Sequence, residues 1–592
     1  MEAGFDKPKK ETEHELNREF VMARRENKQS RQDEDERSST QGGSYLENLI
    51  REDVMAGRFQ RPICTRFPPE PNGHLHIGSA YAIHINYTTA QTFEGTFHLR
   101  FDDTNPLKED ISYVESILKD MEWLGYSPGG HVYYGSDYSD RIYAAAVELI
   151  QQGKAYVCHL SPEELAASRG TLTEPGTDSP YRNRTSEENL RLFQEMRNGI
   201  HPDGSCVLRA KIDMASPNMN LRDPVLYRII HAPHYRTGNV WCIYPMYDFA
   251  HPIQDMIEGI THSLCSIEFK DHRALYDWVL AELEILEPPR QWEFGRVNIA
   301  GAVTGKRYLR KMVESGWVDG WDDPRLPTIS GLRRRGYTPE SIREFIGGIG
   351  LARQQTTVDI SLLDHVLRQE LKPNVPAIMA VVHPLKVILI NYPNEGEEML
   401  PIENNPLTAD LGVREVAFSR ELYIDRDDFM EVPAKGFHRL APGAEVRLKG
   451  AYFIRCEEVI KDPRSGEIIE LHCTYDPRTK SGSGFKERKV KGTIHWVSAK
   501  HAVTCELRLY DQLLIPGVNL DDIGGNERLG MNPDSLHIVK RAVVESYVQQ
   551  SNPGERFQFI RHGYFILDSM NESSGKQFVF NRIVSLKDGW KR

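Results

Sequence analysis

"PICTRFPPEPNGHLHIGSAYAIHINYTTAQTFEGTFHLRFDD", residues 62–103, decides the fold. "PICTRF" reads as a short strand and "FHLRFDD" as another. Between them Ala80, Ile83, His84 and Tyr87 recur at helical spacing. Strand, tight turn, helix and strand form a βαβ unit, and such units imply a parallel sheet. Pro68, Pro69 and Pro71 stiffen the turn, while Gly73 and Gly78 let backbone come close to a ligand. A helix starting near Ile77 is expected to aim unpaired N–H groups and a positive dipole end at whatever lies above it. That arrangement suits a phosphate. His74 and His76 supply further donors, and Ser79 contributes a hydroxyl where a third histidine could stand.

Outward from this unit, Ile111, Val114, Ile117, Leu118, Met121 and Leu124 predict an amphipathic helix. A middle region, roughly 137 to 246, mixes short helices and strands and reads as an insertion. "LYDWVLAELEIL", "PESIREFIGGIG" and "SLLDHVLRQEL" are helical again. Beyond Pro373 come short β-rich segments punctuated by Gly, Pro and Asp, among them "MAVVHPLKVILINY", "EVRLKGAYFIRCEEVI" and "TCELRLYDQLL". Regular short strands with turn signals predict β-barrels. Residues 1–43 are dense in charge of both signs and read as a mobile tail.

The 592 residues are several domains' worth of chain. No apolar run approaches a bilayer's width, and the first residues have no signal-peptide core. Eight cysteines stand singly with no Cys-x-x-Cys pair, which argues against a zinc knuckle or disulfide framework and fits a reducing cytoplasm. The net charge of −12 gives no support for nucleic-acid binding, although a local basic face is what counts.

Four long stretches, in order, carry a resemblance: "RFPPEPNGHLHIGSA", "LRFDDTNPLKEDISYVESILKDMEWLG", "WCIYPMYDFAHPIQDMIEGITHSLCSIEF" and "GWDDPRLPTISGLRRRGYTPESIREF". Together they resemble the glutaminyl-tRNA synthetases, of the glutamyl/glutaminyl subgroup of class I aminoacyl-tRNA synthetases. The likeness runs from about residue 44 to the C-terminus. It implies a multidomain chain: an α/β Rossmann catalytic domain over 44–136 and 247–296, and an inserted acceptor-stem-binding domain over 137–246. A helical domain over 297–373 and two all-β anticodon-binding barrels over 374–592 would follow. The implied activity is ATP-dependent attachment of glutamine to tRNA(Gln) through glutaminyl-adenylate, by a cytoplasmic monomer. Mg²⁺ would arrive with the nucleotide, with no dedicated metal site on the protein.

The resemblance also implies roles. The first histidine of the HIGH signature falls on His76 and its second on Ser79. The lysine of the KMSKS motif falls on Lys306 in "AVTGKRYLR", with Thr304-Gly305 replacing the usual Met-Ser. Glu70, Asn72, Gly78, Arg296 and Val297 would frame ATP. Asp102 would meet the substrate ammonium group, with Arg66, Tyr247, Cys265 and Gln291 lining the rest of the amino-acid pocket. Asp271 matches an acceptor-stem position, Arg333 and Arg334 are candidate backbone contacts, and Gln558 and Arg561 match anticodon-reading positions. Relatives generally carry an arginine where this chain has Ala377. Two other readings stay open. One is a glutamyl enzyme, which typically has an arginine in place of Cys265; the other is a synthetase-like paralogue that binds tRNA or an adenylate and charges weakly.

Overall fold

Strand β1 (Cys64–Phe67) is buried along its whole length, as a strand covered on both faces must be. Its successor β2 (Thr96–Phe101) pairs with it in parallel, Cys64 opposite Thr96 and Phe67 opposite Leu99. Between them runs the Ile77–Thr92 helix, whose Ile77, Ala80, Tyr81 and Ile83 are buried. The return to β2 depends on Gly95, because a Cβ there would lie 2.0 Å from the Ile63 carbonyl oxygen. That close approach lets the Thr96 amide donate to the same carbonyl at 2.9 Å and sets the register. β3 (Val132–Tyr134) extends the sheet in parallel beyond β2. The expected βαβ unit is therefore present.

The computed structural model describes residues 43–518, 520, 527–569 and 578–586. The charged tail read over 1–43 lies, but for its last residue, outside them. The described chain forms two compact units. One holds the residues up to Pro69 with 85–107 and 128–295; the other holds 70–84, 108–127 and the residues from 296 onward.

In the first unit β4 (Ala155–Cys158), β5 (Val207–Ala210), β6 (Val225–Ile229) and β7 (Ile243–Pro245) make one antiparallel sheet in sequence order. The Tyr247–Ile257 helix then leads to β8 (His262–Ser266) and β9 (Arg290–Phe294), a parallel pair. Thr261 ties this pair to β1: its amide donates to the Cys64 carbonyl at 3.0 Å, and its hydroxyl oxygen accepts from the Cys64 amide at 2.8 Å.

The second unit contains the Ile111–Leu124 helix. Asp110 caps it by accepting from the Ser112 amide at 2.8 Å, and Gly125 ends it in the left-handed region. Val114, Ile117, Met121 and Leu124 are buried as expected, but Ile111 is exposed in the first turn. Asp120 takes a buried place on the same face, which a count of apolar residues alone does not find. β10 (Val297–Ala300) pairs in parallel with β11 (Thr356–Asp359). The Lys306–Glu314, Ile329–Arg335, Pro339–Ile349 and Ile360–Asn374 helices are the principal helices of the connector.

Two seven-stranded sheets follow. In one, the edges are Ala377–Ile378 and Ala380–Val381, with 556–559, 563–567, 578–584, 503–510 and 536–544 between them in that order. Only Met379 separates the two edge segments, so the sheet must curl until its borders meet. The other sheet repeats the device: Thr493–Ile494 and Val497–Ser498 are its edges, with only two residues between them. Both sheets thus curl into barrels whose closing segments are two residues long, and short edge strands offer little to another chain. Trp496, in the second seam, is fully buried at the heart of its barrel's core.

Candidate active site

In the second unit the turn before the Ile77–Thr92 helix is knitted to the connector. The Ile329 amide donates to the Leu75 carbonyl at 2.9 Å, and the Ile77 amide donates to the Pro327 carbonyl at 3.1 Å. This corrects the expectation of unpaired first-turn amides. The Ile77 amide goes to Pro327, the Gly78 amide to Nδ1 of His76 at 3.1 Å, and the Ser79 and Ala80 amides to the His76 carbonyl at 2.8 and 3.1 Å. Ser79 faces back into the same turn, its hydroxyl oxygen 3.4 Å from the His76 amide it accepts from.

His76 carries the consequence. Its Nδ1 accepts a hydrogen bond, so in the neutral ring Nε2 holds the proton. Burial first, then the charges of Lys306 and Arg296, push its pKa down to about 4. At neutral pH His76 is therefore an uncharged donor. Gly78 gives this pose room, since a Cβ there would press on the ring at 3.0 and 3.1 Å. His74 is engaged differently. Its Nδ1 lies 2.7 Å from the Ser116 hydroxyl and its ring stacks on Trp321 at 4.9 Å, so it packs the turn.

Lys306 opens its helix, with Gly305 at the N-cap. Its amine donates to Oδ1 of Asn72 at 2.7 Å, while Arg310 donates to the Asn72 carbonyl at 2.6 Å. Asn72 also donates to the Glu70 carboxylate. The protein packed around the Lys306 amine lowers its pKa; Glu70 opposes that shift and Arg310 adds to it. Glu70, Asn72, His76 and Lys306 thus lie within one electrostatic neighbourhood. Arg296 is exposed beside β10, where its carbonyl accepts from the Thr356 amide, and Val297 is buried. Arg310 was not foreseen; its position one turn after Lys306 was the available signal.

In the first unit Arg66 is fully buried. Its Nε donates to Asp255 at 3.0 Å and Nη1 to the Leu264 carbonyl at 3.2 Å. Nη2 lies 2.6 Å from the Ser263 hydroxyl, 2.7 Å from Nε2 of His251 and 3.6 Å from Sγ of Cys265. Arg100 completes the network: Nε to Asp102 at 2.8 Å, Nη1 to Asp255 at 2.7 Å and to Glu258 at 3.3 Å. The two guanidinium groups hold the Asp255 carboxyl well below the usual carboxylate range, against the burial that would raise it. Burial raises the Asp102 carboxyl despite Arg100, and pushes Glu258 up to about 7. Tyr247 stacks on His251 at 4.8 Å, and Gln291 is held by the Phe269 carbonyl at 3.2 Å and the Glu293 carboxylate at 3.1 Å. Arg66, Asp102, Tyr247 and Cys265 therefore share one buried cluster, to which Gln291 is joined through Phe269 and Tyr247. Arg100, His251, Asp255 and Glu258 went unread. Their signal was the i, i+4 pair His251 and Asp255, and the alternation Arg100, Asp102.

The remaining candidates are dispersed. Asp271 is exposed, its carbonyl accepting from Asn218 at 2.8 Å. Arg333 pairs with Asp120 at 3.2 Å, and Arg334 with Asp568 at 3.2 Å and Asp322 at 3.4 Å. These guanidinium groups therefore have acids of their own chain as partners. Gln558 sits opposite Ala377 on adjacent parallel strands. Arg561 adopts the left-handed region at φ 72° and is gripped by Asp428, with Nη2 at 2.7 Å and Nη1 at 2.8 Å from its two oxygens.

Three family models match in sequence. They are described as the catalytic domain of class I tRNA synthetases (E and Q), over residues 62–373, and two anticodon-binding domains of the same group, over 375–476 and 493–568. The chain is 55% identical over 552 residues to the glutamine--tRNA ligase of Clostridium perfringens, covering 93% of this chain and 98% of that one. It is 53% identical to the counterpart of Clostridioides difficile, covering 94% and 99%, and 52% identical to that of Pseudomonas aeruginosa, covering 93% and 99%. With its βαβ unit and helical connector within the catalytic-domain match and its barrels carrying the two anticodon-binding matches, the chain belongs to the class I tRNA synthetases of the E and Q group.

Proposed function

We propose that this chain joins glutamine to tRNA(Gln) in two steps. In the first, the glutamine carboxylate attacks the α-phosphorus of ATP; a P–O bond forms, the α–β bridging bond breaks, and pyrophosphate leaves, with Mg²⁺ that would accompany the nucleotide offsetting charge on its phosphates. In the second, the terminal 2′-hydroxyl of the tRNA attacks the adenylate carbonyl and AMP departs. Charge accumulates on phosphate oxygens in the first step, so positioned donors and cations lower its barrier and no covalent nucleophile is needed.

The observation that carries this reading is the pairing of a neutral, Nε2-protonated His76 with the Lys306 amine held on Asn72. Lys306 supplies full charge to the leaving pyrophosphate, and His76 supplies a hydrogen bond that does not depend on its own titration. Glu70, Asn72 and Arg296 frame the nucleotide, beside the Ile77–Thr92 helix N-terminus and Val297. Asp102 receives the substrate ammonium group. The Nε and Nη2 donors of Arg66 have partners within the protein, and Cys265 is neutral. A glutamate side chain would therefore bring an unpaired charge into a buried site, whereas an amide would not. Asp271 meets the acceptor stem, Arg333 and Arg334 serve as contacts to the tRNA backbone, and Gln558 and Arg561 meet the anticodon.

The test is aminoacylation of a matching tRNA by the purified chain. Glutamine should be esterified to the tRNA while glutamate is not. Charging with glutamate alone, or with neither, would overturn the reading.

A further inference from the structure

Asp425, His495 and His562 lie far apart in sequence, yet the second unit gathers them at the junction of the two barrels. Asp425 ends a strand of one barrel and His495 sits in that barrel's seam. His562 lies in the tight turn between the Arg556–Phe559 and Gly563–Leu567 strands of the other. Their ligand atoms all fall within 4.8 Å of one another. Oδ2 of Asp425 is 2.9 Å from Nε2 of His495 and 2.7 Å from Nε2 of His562. Its other oxygen accepts the Val382 and His383 amides at 2.8 and 3.1 Å, which orients the carboxylate from behind.

His495 distinguishes this cluster from an ordinary ion pair. It is 1% exposed, and neither ring nitrogen has a hydrogen-bond partner. Nε2 is close to the carboxylate but not aligned with it. An unsatisfied buried imidazole is costly, and a native structure rarely keeps one without a reason. Nε2 of His562 hydrogen-bonds Oδ2 of Asp425 at 2.7 Å, and a cation entering among the three ligand atoms would take the place of that bond.

We propose that Asp425, His495 and His562 bind a transition-metal dication of the zinc type, with water completing a four-coordinate shell. Two imidazoles and one carboxylate suit zinc or cobalt and exclude the all-oxygen preference of magnesium and calcium. The Val382 and His383 amides are the outer support that such a carboxylate needs. The metal links the barrels and pins the turn that carries Arg561 with its left-handed backbone.

The test uses the full-length chain, stripped with a chelator and titrated with Co²⁺. Binding should produce the intense visible absorption of four-coordinate cobalt, and Zn²⁺ should displace it. His562→Gln, in a partly exposed turn, and Asp425→Asn should each abolish the band and weaken zinc binding by at least about 100-fold. No band and no retained zinc in the unaltered chain would overturn the proposal, as would zinc affinity unchanged by both substitutions. The titration of the unaltered chain decides the matter even if a variant does not fold.

Discussion

Lys306 and His76 divide the labour at the residue level, one bringing charge and the other a neutral donor. Replacing Lys306 with alanine removes one preorganised electrostatic stabiliser, and adenylate formation should slow by about 10²- to 10³-fold. Pyrophosphate exchange in the pre-steady state measures this directly. His76 has its pKa pushed down to about 4, so protonation does not reach it near the usual imidazole value of 6.5. The rate of adenylate formation should therefore show no His76 inflection around pH 6.5, and a break there that disappears in His76→Asn would contradict the tautomer assignment. Asp102 gives the opposite pH signature. Burial raises its carboxyl, and the protonated form has no charge for an ammonium group. The KM for glutamine should rise as pH falls, and Asp102→Asn should flatten that dependence.

Among elements, the Ile77–Thr92 helix shows why a glycine can matter without touching substrate. Adding a methyl at Gly78 pushes on the His76 ring from 3.0 Å and shifts it against the amide-to-Nδ1 bond that fixes its tautomer. Gly78→Ala should lower kcat well below the unaltered rate while circular dichroism and thermal unfolding stay nearly unchanged. The elements themselves were legible in the sequence: "PICTRF", "FHLRFDD" and the helix between them follow from apolar spacing and turn chemistry. The fate of the helix's first amides was not legible, because their acceptors include Pro327, a partner supplied by tertiary structure. The buried network was half legible. Arg66 and Asp102 were found by resemblance, but Arg100 reaches Asp255 across 155 positions, and no local pattern encodes that pairing.

Across the whole molecule, the barrels are held by polar seams as well as by apolar cores. Arg414 grips Glu545 through Nε and Nη2, both at 2.7 Å, with each side chain only 4% exposed, and it also donates to the Ala377 carbonyl at 3.0 Å. Removing one partner of such a pair leaves an uncompensated buried charge, and Arg414→Ala should cost about 3–5 kcal/mol of stability. Urea unfolding of the full chain, compared with the Arg414→Ala, Glu545→Ala double variant, separates the orphaned charge from the loss of packing. The loss should be largely recovered in the double variant.

Met379 is the stitch between the two hems of the barrel whose edges are Ala377–Ile378 and Ala380–Val381. One residue therefore governs both borders, and its amide is anchored on Glu545. Lengthening the chain at this point by a few glycines would let the hems drift apart and unzip the cylinder from both sides together. The same glycines placed after Pro463, in an exposed hairpin tip of the other barrel, should leave it whole. Comparing the two insertions by limited proteolysis would show a cylinder closed by a single stitch.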